Sequence, residues 1–390
     1  MPESGIRAVL RAPQVLLVLT ASQVGRLPLA AAPLALLIHA RQAQSLTLAA
    51  LIVAVYTAGM AVSAPLLART VDRWRQPPVL WGSALLSAAG FLTVVSAGEH
   101  LPYALAGAAV AGLGTPPLEA CLRALWPALV PPSLVPAAYS LDIAVQEVIF
   151  VAGPLITLAA VALGGPSAGL LAAAALQLAG VAAFTLAPAV REWVGMPAHR
   201  HWAGPLRVRR FATMVAGVAC VGAAVGSIPV ALTGYAEALG DRSLTGWLLA
   251  AQAGGALVGG LLYTRASPGD ARRLPLLAGA FAIGYLPLLL MPGPVLMAGL
   301  QAVSGLALPP LLTAVFLAAD RLAPLGTVVE AFAWIMTAFT VGSALGAAAA
   351  GPLSGVDIRY GFMLAPVVGA VSVLAMVVVA RRPRVPERVG

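Results

Sequence analysis

The sequence predicts an all-α integral membrane protein with twelve transmembrane helices in two pseudo-symmetric six-helix bundles. Three observations carry that expectation. Sixty per cent of the 390 residues are hydrophobic and nine per cent are charged, with a mean hydropathy of +0.94. A soluble domain carries about 25% charged residues because its surface must be wetted. Apolar runs of about 18–27 residues recur twelve times, the length that a helix needs to cross about 30 Å of hydrocarbon. Finally, Gly112-Leu-Gly-Thr-Pro-Pro-Leu returns 193 residues later as Gly305-Leu-Ala-Leu-Pro-Pro-Leu, and the same offset carries Ala138-Tyr139 onto Ala331-Phe332 and Gly153 onto Gly346. An offset near half the chain length is the mark of one membrane module used twice.

The apolar runs fall at about 13–38, 46–68, 78–97, 102–129, 137–163, 167–189, 211–236, 245–264, 274–291, 294–318, 327–350 and 361–380. Helices suit them because each satisfies its own backbone polar groups in lipid. The first run follows Arg7 and Arg11 and resembles a signal peptide at its start. It is too long for one and further spans follow, so an uncleaved first span is expected. Most junctions are short. The exception is Arg191–Arg210, with five arginines and two histidines at the midpoint. This gives a first bundle at 1–190, a cytoplasmic linker at 191–210 and a second bundle at 211–390.

All 23 basic residues are arginines, and the net charge is +9. In a soluble protein such a charge would suggest nucleic acid. Here the arginines sit at the ends of apolar runs, so the expected partner is the bilayer and no nucleic acid. Eighteen arginines lie at the termini and the even-to-odd junctions, and three lie on the other side. Positive charge is retained in the cytoplasm, so both termini are expected inside, in a plasma (inner) membrane. Cys121 and Cys220 lie in apolar runs without metal or redox spacing. They read as small buried side chains. No cofactor or metal is expected, and a monomer is.

The spans are rich in Gly, Ala and Pro. Gly342-x3-Gly346 and Gly255-x3-Gly259 have the spacing that lets helix backbones approach closely. Pro116-Pro117 and Pro309-Pro310 cannot sit in an unbroken helix, because each ring removes a donor and clashes one turn back. Kinks are expected there in spans four and ten, and at Pro154 in span five. They suit a cavity that opens alternately, or they only shape packing.

The junction between spans two and three reads Ala68-Arg-Thr-Val-Asp72-Arg73-Trp-Arg75-Gln-Pro77. With twelve spans, a basic central loop and the repeat, it resembles the major facilitator superfamily, whose signature here is Gly-x3-Asp-Arg-x-Gly-Arg-Arg/Lys. Asp72 and Arg73 match it. Ala68 replaces the first Gly, Arg75 the second, and Gln76-Pro77 the following basic pair. The resemblance implies a cytoplasmic gate built from Asp72, Arg73 and Arg75, with Asp72 meeting the N-terminus of span eleven near Glu330. A helix N-terminus carries roughly half a positive charge, which favours that meeting. Drug–proton antiporters of the superfamily carry Gly-x3-Gly-Pro-x2-Gly-Gly in span five. This chain has Gly153-Pro154 but Ile149 and Thr157-Leu158 at the other positions, and Ala108 where an antiporter arginine stands. The likeness to the efflux branch is thus partial.

An ionisable residue deep in a span costs at least about 2.5 kcal/mol and is by default a functional hypothesis. Five lie in the first half: Arg26 in span one, Glu119 and Arg123 in span four, Asp142 and Glu147 in span five. Glu119 and Arg123 share a helix face at i, i+4 in the favourable order. Three acids against two arginines leave one negative charge uncompensated. One carboxyl is therefore expected to hold a proton near neutral pH and to couple protons or contact substrate. Glu147, the deepest, is the first choice and Asp142 the second. The alternative is a fixed salt-bridge network, with Arg123 and Asp142 its structural members. In the second half the same four positions as Glu119, Arg123, Asp142 and Glu147 hold Leu312, Phe316, Ile335 and Thr340. Gln252, Gln301, Trp334 and Met336 are candidate lining for the apolar part of a solute.

The leading expectation is a secondary active transporter working by alternating access, with proton-coupled efflux of small hydrophobic or amphiphilic compounds. A facilitator or importer of sugars or similar metabolites is a second, and a non-transporting membrane sensor a third. An enzyme is not expected, since no nucleophile–base arrangement is readable.

Overall fold

The computed structural model describes residues 5–195, 203–241, 243–263 and 273–381, the side chains at 46, 47, 147 and 243 excepted. After α1 (Gly5–Arg11) come α2 (Val15–Arg26) with α3 (Pro28–Ala40), α4 (Leu46–Arg73), α5 (Gln76–Ser96), α6 (Leu101–Leu113) with α7 (Leu118–Leu129), α8 (Val135–Gly164) and α9 (Pro166–Leu186). The short α10 (Pro188–Glu192) enters the linker. The second set is α11 (Arg209–Ala238), α12 (Ser243–Tyr263), α13 (Leu274–Tyr285), α14 (Pro294–Gly305) with α15 (Leu308–Leu322), α16 (Val328–Val356) and α17 (Ile358–Ala380). Eleven spans among the described residues are long and apolar enough to cross a membrane, and Leu274–Leu290 is a shorter apolar segment in ninth place. The fold is the all-α, twelve-helix membrane architecture.

Its helices begin and break where the sequence chemistry requires. Ser45 Oγ accepts the Leu48 amide at 3.3 Å and caps α4, and Asp357 accepts the Arg359 amide at 2.8 Å ahead of α17. Each supplies an acceptor for an amide that the helix itself leaves open. Gly165 takes φ +79° between α8 and α9, a conformation only glycine adopts cheaply. Span four is interrupted from Gly114 to Pro117. Span ten is interrupted at Leu306–Ala307, so that Pro309 and Pro310 fall in the first turn of α15, where their missing donors matter least. Span one, read from sequence as one run, is two helices. Pro28 has no N–H to donate, and the chain restarts there. The long α8 contains Pro154 without interruption.

The described chain divides into two compact units, Met1–Pro205 with Ala323–Thr337, and Leu206–Leu322 with Ala338–Gly390. The first turns of α16 therefore group with the first unit rather than with the rest of residues 211–390. Within the first unit α5 and α9 pack with α6, α2, α3 and α8. A core of Leu36, Tyr56, Phe91, Leu170 and small alanines lies among them. Within the second, α17 packs on α11 and α13, and α12 on α14. Leucines and valines such as Leu163, Leu290 and Val295 stand exposed on the helix surfaces, as surfaces facing acyl chains require.

The internal repeat reappears as matched helix contacts. A methyl group on Gly112 would stand 2.2 Å from the Tyr56 carbonyl oxygen, and one on Gly305 would stand 2.1 Å from that of Gln252. Likewise Gly153 presses on Ala30 and Gly346 on Ala223, and Ala30 and Ala223 are themselves 193 apart. The glycines recur because the same backbone approaches recur.

Candidate transport site

The first unit gathers four of the five intramembrane charges into one closed ring. Arg26 ends α2, just before the Pro28 break. Glu119 occupies the first turn of α7, just after the Pro116-Pro117 break, with Arg123 one turn on. Both interruptions thus place charges where the helix backbone has open polar groups, and an acid in a first turn also favours the helix dipole. Asp142 comes from the second turn of α8. Its Oδ1 takes Arg26 Nη1 at 2.9 Å and its Oδ2 takes Arg123 Nε at 3.0 Å. Glu119 Oε1 lies 2.6 Å from Arg123 Nη1 and 3.4 Å from Arg26 Nη2. Each arginine therefore touches both acids, and each acid both arginines.

The members are not equivalent. Asp142 is 0%, Arg123 1% and Arg26 2% exposed, whereas Glu119 is 15% exposed. Asp142 is held through both oxygens, with Gln23 Nε2 donating to Oδ1 at 3.4 Å. Arg123 also donates to Gln146 Oε1 at 3.3 Å. Two guanidiniums meet two carboxylates, so the ring balances. The fifth charge of the sequence expectation is Glu147. Glu147 belongs to α8, but its side chain lies outside the described residues.

A second cluster lies at the start of α16. Asp72 Oδ1 accepts the Val329 amide at 3.2 Å and Oδ2 accepts the Glu330 amide at 2.8 Å. These are among the amides that a helix start leaves unsatisfied. Glu330, 2% exposed, is gripped by Arg69 through Nε at 3.0 Å and through Nη2. It also accepts the Trp334 indole N–H at 3.3 Å. Gly204 lies against the Glu330 carboxylate and Gly195 against the Asp72 backbone.

Sequence reasoning missed Arg69 as a partner of Glu330. Arg73 and Arg75 are exposed at the helix end, and Arg69, one turn before Asp72 on the same face of α4, makes the contact. That i−3 spacing was the available signal. Tyr139 was also missed: its hydroxyl donates to the Arg123 carbonyl at 3.3 Å, and its ring meets Phe332 edge-on at 6.0 Å. It thus joins α7 to the beginning of α16, and Tyr139 and Phe332 are themselves 193 residues apart.

The other candidates are dispersed. Trp334 serves Glu330, and Met336 is half-buried. Gln252 Nε2 donates to the Tyr285 hydroxyl at 3.0 Å. Gln301 is fully buried, its carbonyl groups taken by Ser304.

The helices thus fall in two sets long and apolar enough to span a membrane, with a ring of buried charges in the first and a carboxylate meeting the start of α16. The sequence matches the Major Facilitator Superfamily over residues 18–293, and the chain belongs to that family. It is a transporter rather than an enzyme. No curated protein sequence matches it. Among solved structures it is similar to a bacterial homologue of the iron transporter ferroportin in an outward-facing state (17% identity, 94% of this chain and 99% of that one, TM-score 0.71). It is also similar to the E. coli fucose:proton symporter (15%, 95% and 99%, 0.73) and a human organic anion transporter (15%, 96% and 100%, 0.66). At such identities the likeness is one of fold.

Proposed function

We propose that this chain is a proton-coupled transporter of small amphiphilic solutes working by alternating access, and that the ring of Arg26, Glu119, Arg123 and Asp142 is its proton-handling centre. The observation that carries this is the inequality within the ring. Three charges are sealed in mutual contact, and one carboxyl, Glu119, is partly exposed and held through a single oxygen. Glu119 is the acid of the ring that stays partly exposed and is held through one oxygen, and it is the one we assign to proton exchange. Asp142, gripped from both sides, is the fixed counter-ion. The family's mechanism supplies the cycle, and Tyr139 supplies contact from the ring to the start of α16, where Asp72 and Arg69 hold the helix. The arginine asymmetry supports cytoplasmic termini and a monomer in the plasma membrane suits the fold.

Efflux is the direction that the partial span-five likeness to drug–proton antiporters supports, and the apolar second half suits a hydrophobic solute. A second reading, cotransport of an organic anion with the proton, is favoured by the donors of Arg26. The test of the shared core is proton movement in proteoliposomes under an imposed pH gradient, with a panel of amphiphilic anions, cations and neutral solutes. Native protein moves protons with at least one of them, and Glu119→Gln with none. Equal proton movement by both proteins refutes the assignment of Glu119.

A further inference from the structure

The ring holds more donor than acceptor. A guanidinium carries five N–H donors, and Arg26 is buried with Nη1 on Asp142. Its Nε and Nη2 find no hydrogen-bond acceptor among the described residues. Glu119 Oε1 lies 3.4 Å from Nη2 and 2.6 Å from Arg123 Nη1, in ion-pair contact with both and in hydrogen-bond geometry with neither. One carboxylate oxygen is stretched between two cations. Buried donors in that state are costly, and an anionic head with two or three oxygens, such as a carboxylate or a sulfonate, is the chemistry that satisfies them, by bidentate pairing with the planar guanidinium.

We propose that Arg26 and Arg123 form the binding subsite for the anionic head of an organic solute, and that Glu119 occupies this subsite until it is protonated. The proposal rests on the ring as the proton-handling centre and names the solute class. Asp142 stays in place, fully buried and held through both oxygens. Glu119 is the member that leaves, being held through one oxygen and partly exposed. The groups facing it are Arg26 from α2, Arg123 from α7 and, across the ring, Asp142 from α8. Gln23 and Gln146 are the neutral neighbours.

The charge count fixes the sign of the coupling. With Glu119 ionised the four members sum to zero, and an arriving anion meets no net attraction. With Glu119 protonated they sum to one positive charge in a low-dielectric setting. A monoanion then restores neutrality and takes the donors that Glu119 gives up. Proton and anion therefore bind together rather than in competition, which makes the carrier a cotransporter of anion and proton. The solute class is therefore an organic anion.

Equilibrium dialysis of the purified full chain in a neutral maltoside tests this, with naphthalene-2-sulfonate and a naphthyl quaternary ammonium as probes. The sulfonate stays ionised, so pH acts on the protein alone. Native protein is expected to bind the sulfonate about tenfold or more tightly at about pH 5.5 than at about pH 8. Glu119→Gln, which mimics the protonated acid, binds it tightly at both pH values. Arg26→Gln loses about tenfold at both. Should Arg26→Gln not fold, the gain in Glu119→Gln decides alone. Tighter binding of the ammonium than of the sulfonate at either pH overturns the proposal, as does sulfonate binding indifferent to Glu119→Gln, or no sulfonate binding by native protein. The two readings part cleanly in proteoliposomes. Proton movement with cations or neutral solutes but not with the sulfonate keeps the proton centre and removes the anion subsite. Absence of proton movement with every solute removes the proton centre.

Discussion

Gly254 and Gly255 are neighbours in α12, and the fold predicts opposite outcomes for the same substitution. Gly255 is buried against α14, and a methyl group there would stand 1.8 Å from the Ala302 carbonyl oxygen, 2.7 Å from its carbon and 3.0 Å from its Cα. A comfortable carbon–oxygen contact between helices is about 3.3 Å, so the gap falls short by about 1.5 Å. All three neighbours are backbone atoms, and none can rotate aside. Gly255→Ala must therefore push α12 off α14, and one turn on the same shift breaks the seating of Gly259 on the Leu306 carbonyl, 2.0 Å from its would-be methyl. Overpacking of this kind costs about 1–3 kcal/mol or more. Gly254, by contrast, has nothing within 4 Å of its would-be methyl. Gly254→Ala gains helix propensity, up to about 1 kcal/mol. The assay is thermal unfolding of each purified variant in detergent, read by intrinsic fluorescence or by loss of the monodisperse peak. Gly255→Ala lowers the transition and Gly254→Ala leaves it level or raises it. Equal shifts for the two, or a fall with Gly254→Ala alone, would refute the close approach of α12 and α14.

Asp72→Asn loses the charge on the α16 start. Amide exchange at Val329 and Glu330 is expected to quicken several-fold, for about 1 kcal/mol of lost charge–dipole stabilisation; hydrogen–deuterium exchange reads it, and unchanged rates would contradict the latch. Arg69 and Glu330 should couple in a double-mutant cycle on stability by about 1–3 kcal/mol, whereas Arg73→Gln, at an exposed position, changes stability little. In the ring, Arg123→Gln strands Asp142 beside one arginine and is expected to cost about 3–5 kcal/mol, as loss of one buried partner does. Glu119→Gln costs clearly less in the same unfolding assay. The reverse order would show that Glu119, not Asp142, is the structural acid.

The fold was legible because lipid imposes a coarse rule that sequence shows directly. Runs that must shed their polar backbone into helices are long and apolar, and the repeat at offset 193 follows from two copies needing the same glycine approaches. The sequence also placed Arg26, Glu119, Arg123 and Asp142 among the charges that matter, since burying them is too costly to be incidental. Pairing was another matter. Which acid meets which arginine depends on helix rotation and on the breaks at Pro28 and at Pro116-Pro117, and neither is set by local spacing. The count of three acids against two arginines pointed to a surplus, yet the four whose side chains are described close on one another and balance. Likewise the loop motif named Asp72, while the choice of Arg69 over Arg73 and Arg75 came from the face of α4 that α16 approaches. Composition and periodicity determined a twelve-helix carrier with a set of intramembrane charges in its first half. Tertiary structure alone decided which of those charges are sealed and which one stays partly exposed, because exposure and partner geometry arise only when distant helices pack.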